Sequence, residues 1–187
     1  MSGKRLYLLS GRGEKLSDTL GQIIMKMEYE IEGRELVSSF ERLWFPEQIE
    51  LVRSDLQPVF WTSDSKLIGR SYGAYLLLQT LADMSPFPGK VLLFSPVLGA
   101  AIAKNHLYMS IPPRAKKLLM LANSNRFPAP GYMEIHTGAD DNGCDPLLAE
   151  QFVSRIENVK LVVVPEAGHD FTENYMISVI GRFVGAH

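Results

Sequence analysis

One pentapeptide, Gly69-Arg70-Ser71-Tyr72-Gly73, limits the folds open to this chain more than any other stretch. The residues before it, 65–68, read as a short strand, and those after it, 74–82, as a helix. A chain that turns from strand to helix within five residues forces the central one into strained backbone. Glycines two before and two after remove the Cβ atoms that would collide there. Ser71 is then held above the C-terminal end of a strand and at the start of a helix. Gly-x-Ser-x-Gly alone also arises by chance, so the rest of the chain decides what the turn means.

Strands and helices alternate along that remainder. Residues 5–9 read as a buried strand, followed by the loop 10–15. Ser17 is the expected cap of a helix that carries Leu20, Ile23, Ile24 and Met27 on one face. A short strand is expected at 34–38. Pro46 suits the first position of a helix that turns Ile49, Val52 and Leu56 inward and that Pro58 ends or kinks. After the Ser71 unit come a strand at 89–95 stopped by Pro96, an irregular stretch over 97–130 with a helical run at 115–121, and a strand at 132–136. Asp145 and Pro146 have the pattern of an N-cap and first helical residue. Residues 159–164 form the last expected strand, and Asp170-x-x-Glu173 resembles a capping box for a final helix. The strands are apolar runs, as in a parallel sheet covered on both faces. The expected architecture is a single three-layer α/β/α domain over 1–187, with a mostly parallel sheet of about six strands.

Composition removes several classes of function. The net charge of −2 gives no reason to expect nucleic acid or an anionic membrane as partner. No stretch approaches the ~20 apolar residues that cross a bilayer. The single cysteine, Cys144, excludes an internal disulfide framework and fits a reducing, cytoplasmic compartment.

Two further loops complete a constellation. Gly138-Ala139-Asp140-Asp141 follows one strand, and Gly168-His169-Asp170 follows the next. A serine hydroxyl is a poor nucleophile at neutral pH. It needs a histidine to take its proton, and a carboxylate to orient that histidine. Loops that follow parallel strands emerge at one sheet edge, so Ser71, Asp141 and His169 can meet there.

In these features the chain resembles the α/β-hydrolase family over nearly its whole length: the elbow from Gly69 to Gly73, the Gly138-x-x-Asp141 loop, the Gly168-His169 loop, and the order Ser, acid, His. The resemblance implies Ser71 as nucleophile, Asp141 as acid and His169 as general base, with no metal or organic cofactor. It implies an oxyanion hole from the amide of Tyr72 and a second amide at Gly11 or Arg12. It also implies the sheet order 2-1-3-4-5-6, with the family's usual first two strands missing and a minimal lid within 97–130. The implied activity is cleavage of a carboxylic ester or thioester of a small-molecule acyl substrate through an acyl-enzyme.

Three features depart from the family's pattern or stay open. The early loop reads Gly11-Arg12-Gly13 in place of the common His-Gly form, which favours a non-catalytic binding protein of the same fold as the alternative. Gly11-x-Gly13 after the first strand also suggests a nucleotide site, but the third glycine of that fingerprint is lacking. Arg70 and Arg12 flank the serine and can grip an acidic substrate group; surface ion pairing explains them equally well. Elsewhere the plain readings prevail. His106, His136 and His187 have no catalytic context, Asp145 is a cap, Cys144 is an inert thiol, and Arg114 with Lys116 and Lys117 is a solvated face. The apolar residues from Leu98 to Ile111 serve an acyl pocket or the core.

Overall fold

Five strands of apolar sequence and one charged edge strand build the frame. The structure is a computed structural model that describes residues 4–98, 101–102, 109–110 and 112–185. The chain runs β1 (Lys4–Arg12), α1 (Thr19–Lys26), β2 (Tyr29–Leu36), α2 (Ser38–Glu41), α3 (Phe45–Val59), β3 (Lys66–Arg70), α4 (Ser71–Leu81) and β4 (Lys90–Phe94). It continues through β5 (Ala101–Ile102), β6 (Met109–Ser110), α5 (Ala115–Asn123), β7 (Tyr132–Gly138), α6 (Pro146–Val153), β8 (Val159–Val164) and α7 (Glu173–Gly185). The six-stranded sheet has the order β2-β1-β3-β4-β7-β8, and every neighbouring pair in it is parallel. Setting aside the small β5–β6 hairpin, this is the expected order 2-1-3-4-5-6.

Side chains of successive strand residues point to opposite faces, and here both faces are buried. Leu6, Leu8, Ile68, Leu92 and Phe94 pack under α1 and α7 with Leu20, Ile23, Ile24, Val179, Ile180 and Phe183. Tyr7, Leu9, Leu67, Val91, Leu93, Met133 and Ile135 pack on the other face, under α3, α4, α5 and α6. Each fully buried aliphatic or aromatic side chain contributes roughly 1.5–3 kcal/mol. The result is the three-layer sandwich the strand pattern predicts.

Four local expectations need correction. Strand β2 begins at Tyr29, well before the predicted 34–38: as an edge strand it carries Glu30, Glu32, Arg34 and Glu35, which hide its periodicity. Helix α1 has Asp18, not Ser17, in the N-cap position. Helix α3 begins at Phe45 and absorbs Pro58 in its last turn, where only one internal hydrogen bond is lost. Helix α7 begins at Glu173, and the Thr172 hydroxyl receives the Tyr175 N–H at 3.3 Å, so Thr172 caps it in place of Asp170. Part of the irregular stretch, with His106, Leu107, Tyr108 and Ile111, lies outside the described residues, as does His187.

The chain leaves β1 toward β2 on one side and returns to β3 on the other. That reversal opens a crevice at the carboxyl ends of β1 and β3, the place where open α/β sheets bind ligands. Arg12 ends one of these strands and Arg70 the other, immediately before Ser71.

Candidate active site

The elbow has the geometry that its glycines require. Ser71 is the first residue of α4 and has φ of +53°. A Cβ at Gly69 would lie 2.7 Å from Ala74 Cα, and one at Gly73 would lie 2.1 Å from the Ser10 carbonyl oxygen. Neither position has room for a side chain, which is why helix α4 can seat this tightly against β1 and β3.

Ser71, His169 and Asp141 form one hydrogen-bonded line. Ser71 Oγ is 2.8 Å from His169 Nε2, and His169 Nδ1 is 2.8 Å from Asp141 Oδ1. The Asp141 side chain is fully buried and that of His169 is 32% exposed, so of these two the histidine is the one that solvent and a ligand can reach. Burial alone raises the pKa of Asp141. The hydrogen bond and charge of His169, the Cys144 amide and the nearby Ser95 hydroxyl outweigh it and hold the carboxyl below its ordinary range. An ionised Asp141 only accepts, so it fixes the proton on Nδ1 of neutral His169. Nε2 then accepts from the serine hydroxyl.

The acid loop is tied down from several sides. Gly143 N and Cys144 N donate to Asp141 Oδ1 at 2.7 and 2.8 Å. Thr137 Oγ1 donates to the Cys144 carbonyl at 3.0 Å. A Cβ on Gly143 would stand 2.7 Å from the His169 ring. Cys144 is completely buried, and burial pushes its thiol up to about 12. Asp140 is exposed, and Asp145 caps α6 by accepting the Leu147 N–H at 2.9 Å. Of the three neighbouring carboxylates, only Asp141 reaches the imidazole.

Four contacts were not visible in the sequence. Glu14 Oε2 accepts the Gly11 N–H at 2.8 Å, which occupies one of the two candidates, Gly11 and Arg12, for the second oxyanion amide. Arg70 pairs with both Glu14 and Asp170, and its side chain is only 19% exposed. Of the two readings the sequence left open for Arg70, ion pairing is the one these contacts match: they form a clamp that joins the elbow, the early loop and the histidine loop. Ser95 is fully buried with φ of +46°, and its Oγ donates to the His169 carbonyl at 2.9 Å. The turn after β1 does not open a helix, since α1 starts only at Thr19, so the phosphate cradle of a nucleotide fold is not formed there.

Among the described residues no cluster of three or more His, Cys, Asp or Glu groups is arranged to hold a metal ion, and no helix is long and apolar enough to cross a membrane.

No protein-family model matches this sequence, and no curated protein does. Solved structures match nearly its full length. One is the alpha/beta hydrolase domain-containing protein 10 from mouse, at 13% identity and a TM-score of 0.69, covering 99% of this chain and 92% of that one. Another is a predicted CIB-like hydrolase from Thermoplasma acidophilum, at 15% identity and 0.68, covering 97% and 86%. A third is an esterase from Exiguobacterium antarcticum, at 13% identity and 0.67, covering 99% and 93%. The chain has the α/β-hydrolase fold.

Proposed function

We propose that this protein is a serine hydrolase acting on a carboxylic ester or thioester of a small molecule. The observation that carries the reading is the unbroken relay from Ser71 through His169 to buried Asp141, with both links at 2.8 Å. In this scheme His169 Nε2 takes the Ser71 proton as Oγ attacks the carbonyl carbon. The N–H groups of Tyr72 and Arg12 receive the oxyanion. The protonated imidazole, stabilised by Asp141, gives its proton to the leaving oxygen or sulfur as the bond to it breaks. An acyl-Ser71 intermediate remains. A water molecule deprotonated by His169 then releases the acid and restores the serine. Neighbours of the same fold include proteins described as esterases and as a monoacylglycerol lipase, which suits this class of reaction. We place the protein in the cytoplasm on the ground of its single, unpaired cysteine.

The decisive experiment is labelling by a fluorophosphonate, which reacts with activated serines. Wild type is expected to label and Ser71→Ala is not. The occupied Gly11 amide favours a second reading, a binding protein that keeps the relay without turnover. Folded wild type that resists the probe would select that reading.

A further inference from the structure

A cleft of about 690 Å³ opens beside the elbow, between the loop at Arg12, the α2–α3 corner, the ring of Tyr72 and the Pro113–Arg114 turn. Its charged lining consists of Arg12, Arg42 and Arg114 against Glu41 alone, in a chain whose net charge is −2. The state of these arginines differs from that of others near the site. Arg34 holds Asp55 through two hydrogen bonds of 2.6 and 2.8 Å, and Arg70 holds two carboxylates. In the cleft, Arg12 has one long ion pair, 3.4 Å to Glu41, and otherwise meets the Tyr72 side chain. Arg114 reaches Asp83 only at 3.5 Å, and Lys117 is closer to that same carboxylate. Arg42 is exposed and forms no ion pair among the described residues. Three arginines thus line one cleft, and among the described residues their carboxylate partners are distant, shared or lacking.

The walls are held in place. The Arg12 guanidinium lies 4.5 Å over the Tyr72 ring, and Arg114 5.9 Å from that of Phe45. Buried Gln48 donates to the Phe40 and Glu41 carbonyls at 2.9 and 3.2 Å, which fixes the corner that carries Arg42 and Trp44. Trp44 lines the cleft while 74% exposed. Tyr72 belongs to both regions: it follows the nucleophile in the elbow, where the proposed mechanism uses its amide, and it lines the cleft.

We infer, resting on the hydrolase reading above, that the substrate is an ester or thioester carrying an oxyanionic group, a carboxylate or a phosphate, which the Arg12, Arg42 and Arg114 cleft receives while its apolar chain lies along Trp44 and Tyr72. Charge-assisted hydrogen bonds to guanidinium are the stronger kind, and losing one changes affinity by roughly 10- to 100-fold. Of the two arginines the sequence offered for an acidic group, Arg12 lines this cleft, while Arg70 pairs with Glu14 and Asp170.

The test compares 4-nitrophenyl butyrate with 4-nitrophenyl hemiglutarate and 4-nitrophenyl 4-phosphonobutanoate. The expected result is a kcat/KM at least about tenfold higher for one or both anionic esters, and the better of the two identifies the group. Arg42→Gln and Arg114→Gln should each remove about tenfold of that preference and leave the neutral ester within about twofold. Equal kcat/KM for neutral and charged esters, or equal losses on both in the variants, would overturn the inference while leaving the hydrolase reading intact. Calorimetric binding of the same esters to Ser71→Ala reads the cleft without chemistry. Selective binding of the anionic esters there, lost in Arg42→Gln, supports the cleft even if wild type turns nothing over. Binding without selectivity counts against it.

Discussion

Strand β7 carries a histidine–carboxylate pair of its own close to the one that faces the nucleophile, and the two have nearly the same length. His136 Nε2 is 2.9 Å from Glu134 Oε1, and His169 Nδ1 is 2.8 Å from Asp141 Oδ1. Their surroundings make them different devices. His136 is 1% exposed and Glu134 3%. Burial alone would raise Glu134, but hydrogen bonds from Lys160, Tyr132 and Arg182 hold it down at about 2. Burial, with the charges of Arg182 and Lys160, lowers His136 despite Glu134. The neutral ring donates from Nε2 to Glu134 and accepts from the Tyr175 hydroxyl at Nδ1, 2.6 Å away. Both nitrogens are consumed inside the protein. At His169 one nitrogen is consumed and the other is left for Ser71. A histidine–carboxylate pair becomes chemistry only when its second nitrogen faces a reactive group in an accessible crevice; otherwise it is a fastener, here between β7, β8 and α7.

The sharpest break in this comparison is Ser71→Ala, expected to keep the fold and lower kcat by about 10⁴-fold or more. Steady-state rates with circular dichroism check it, and activity within tenfold of wild type would remove Ser71 from the chemistry. Next is Asp141→Asn, expected to cost about 10²- to 10⁴-fold in kcat through the wrong tautomer, while Asp140→Asn costs less than about tenfold. Reversed magnitudes would shift the acid by one residue.

At the other pair the effect should appear in stability. Glu134→Gln removes a buried anion whose cationic partners are half exposed and screened by solvent. About 1–3 kcal/mol of unfolding free energy is expected to be lost in urea titration, with kcat of the folded protein unchanged. The pH dependence has a definite sign. His136 is lowered in the folded state, so below its ordinary value near 6.5 the unfolded chain binds the proton first and stability falls. Glu134 is lowered too, so its contribution is present above about 4.3 and is lost as the pH falls toward about 2. His136→Phe should flatten the first part of that acid limb. An unchanged limb would mean that His136 does not titrate on unfolding. The smallest effect is expected for Arg70→Met. Loosening the clamp on Glu14 and Asp170 should lower kcat/KM roughly three- to tenfold, equally for neutral and anionic esters. A loss confined to anionic esters would return Arg70 to substrate binding.

The sheet was legible because β1, β3, β4, β7 and β8 are apolar runs punctuated by glycine and proline, and that signal is local. The edge strand β2 was misplaced because one of its sides pairs with nothing and its charged residues follow no apolar run. The candidate triad was legible for a different reason: strand order brings every loop after a parallel strand to one edge, so three residues far apart in sequence need only lie on three such loops. What could not be read were long-range pairings with no local pattern. Arg70 meets Asp170 across 100 residues, Glu14 takes the Gly11 amide, and Ser95, which looked like the end of a strand, bonds the backbone of His169. His136, which has no catalytic context in the sequence, spends both ring nitrogens on Glu134 and Tyr175. Tyr175, which bonds His136, and Arg182, which bonds Glu134, sit on a helix whose register on the sheet depends on the folded packing.

Cys144 gives the acid loop an internal clock. It is the chain's single cysteine, it has no exposed surface, and its amide holds Asp141 in place. A maleimide can reach that sulfur only in moments when the loop has lifted off β7, so the labelling rate counts those openings directly. A rate insensitive to low denaturant marks a local excursion, and one that climbs steeply marks global unfolding. An occupant that bridges Ser71 and His169 should lengthen the interval between openings, which turns one inert thiol into a gauge of site occupancy that needs no chromogenic substrate.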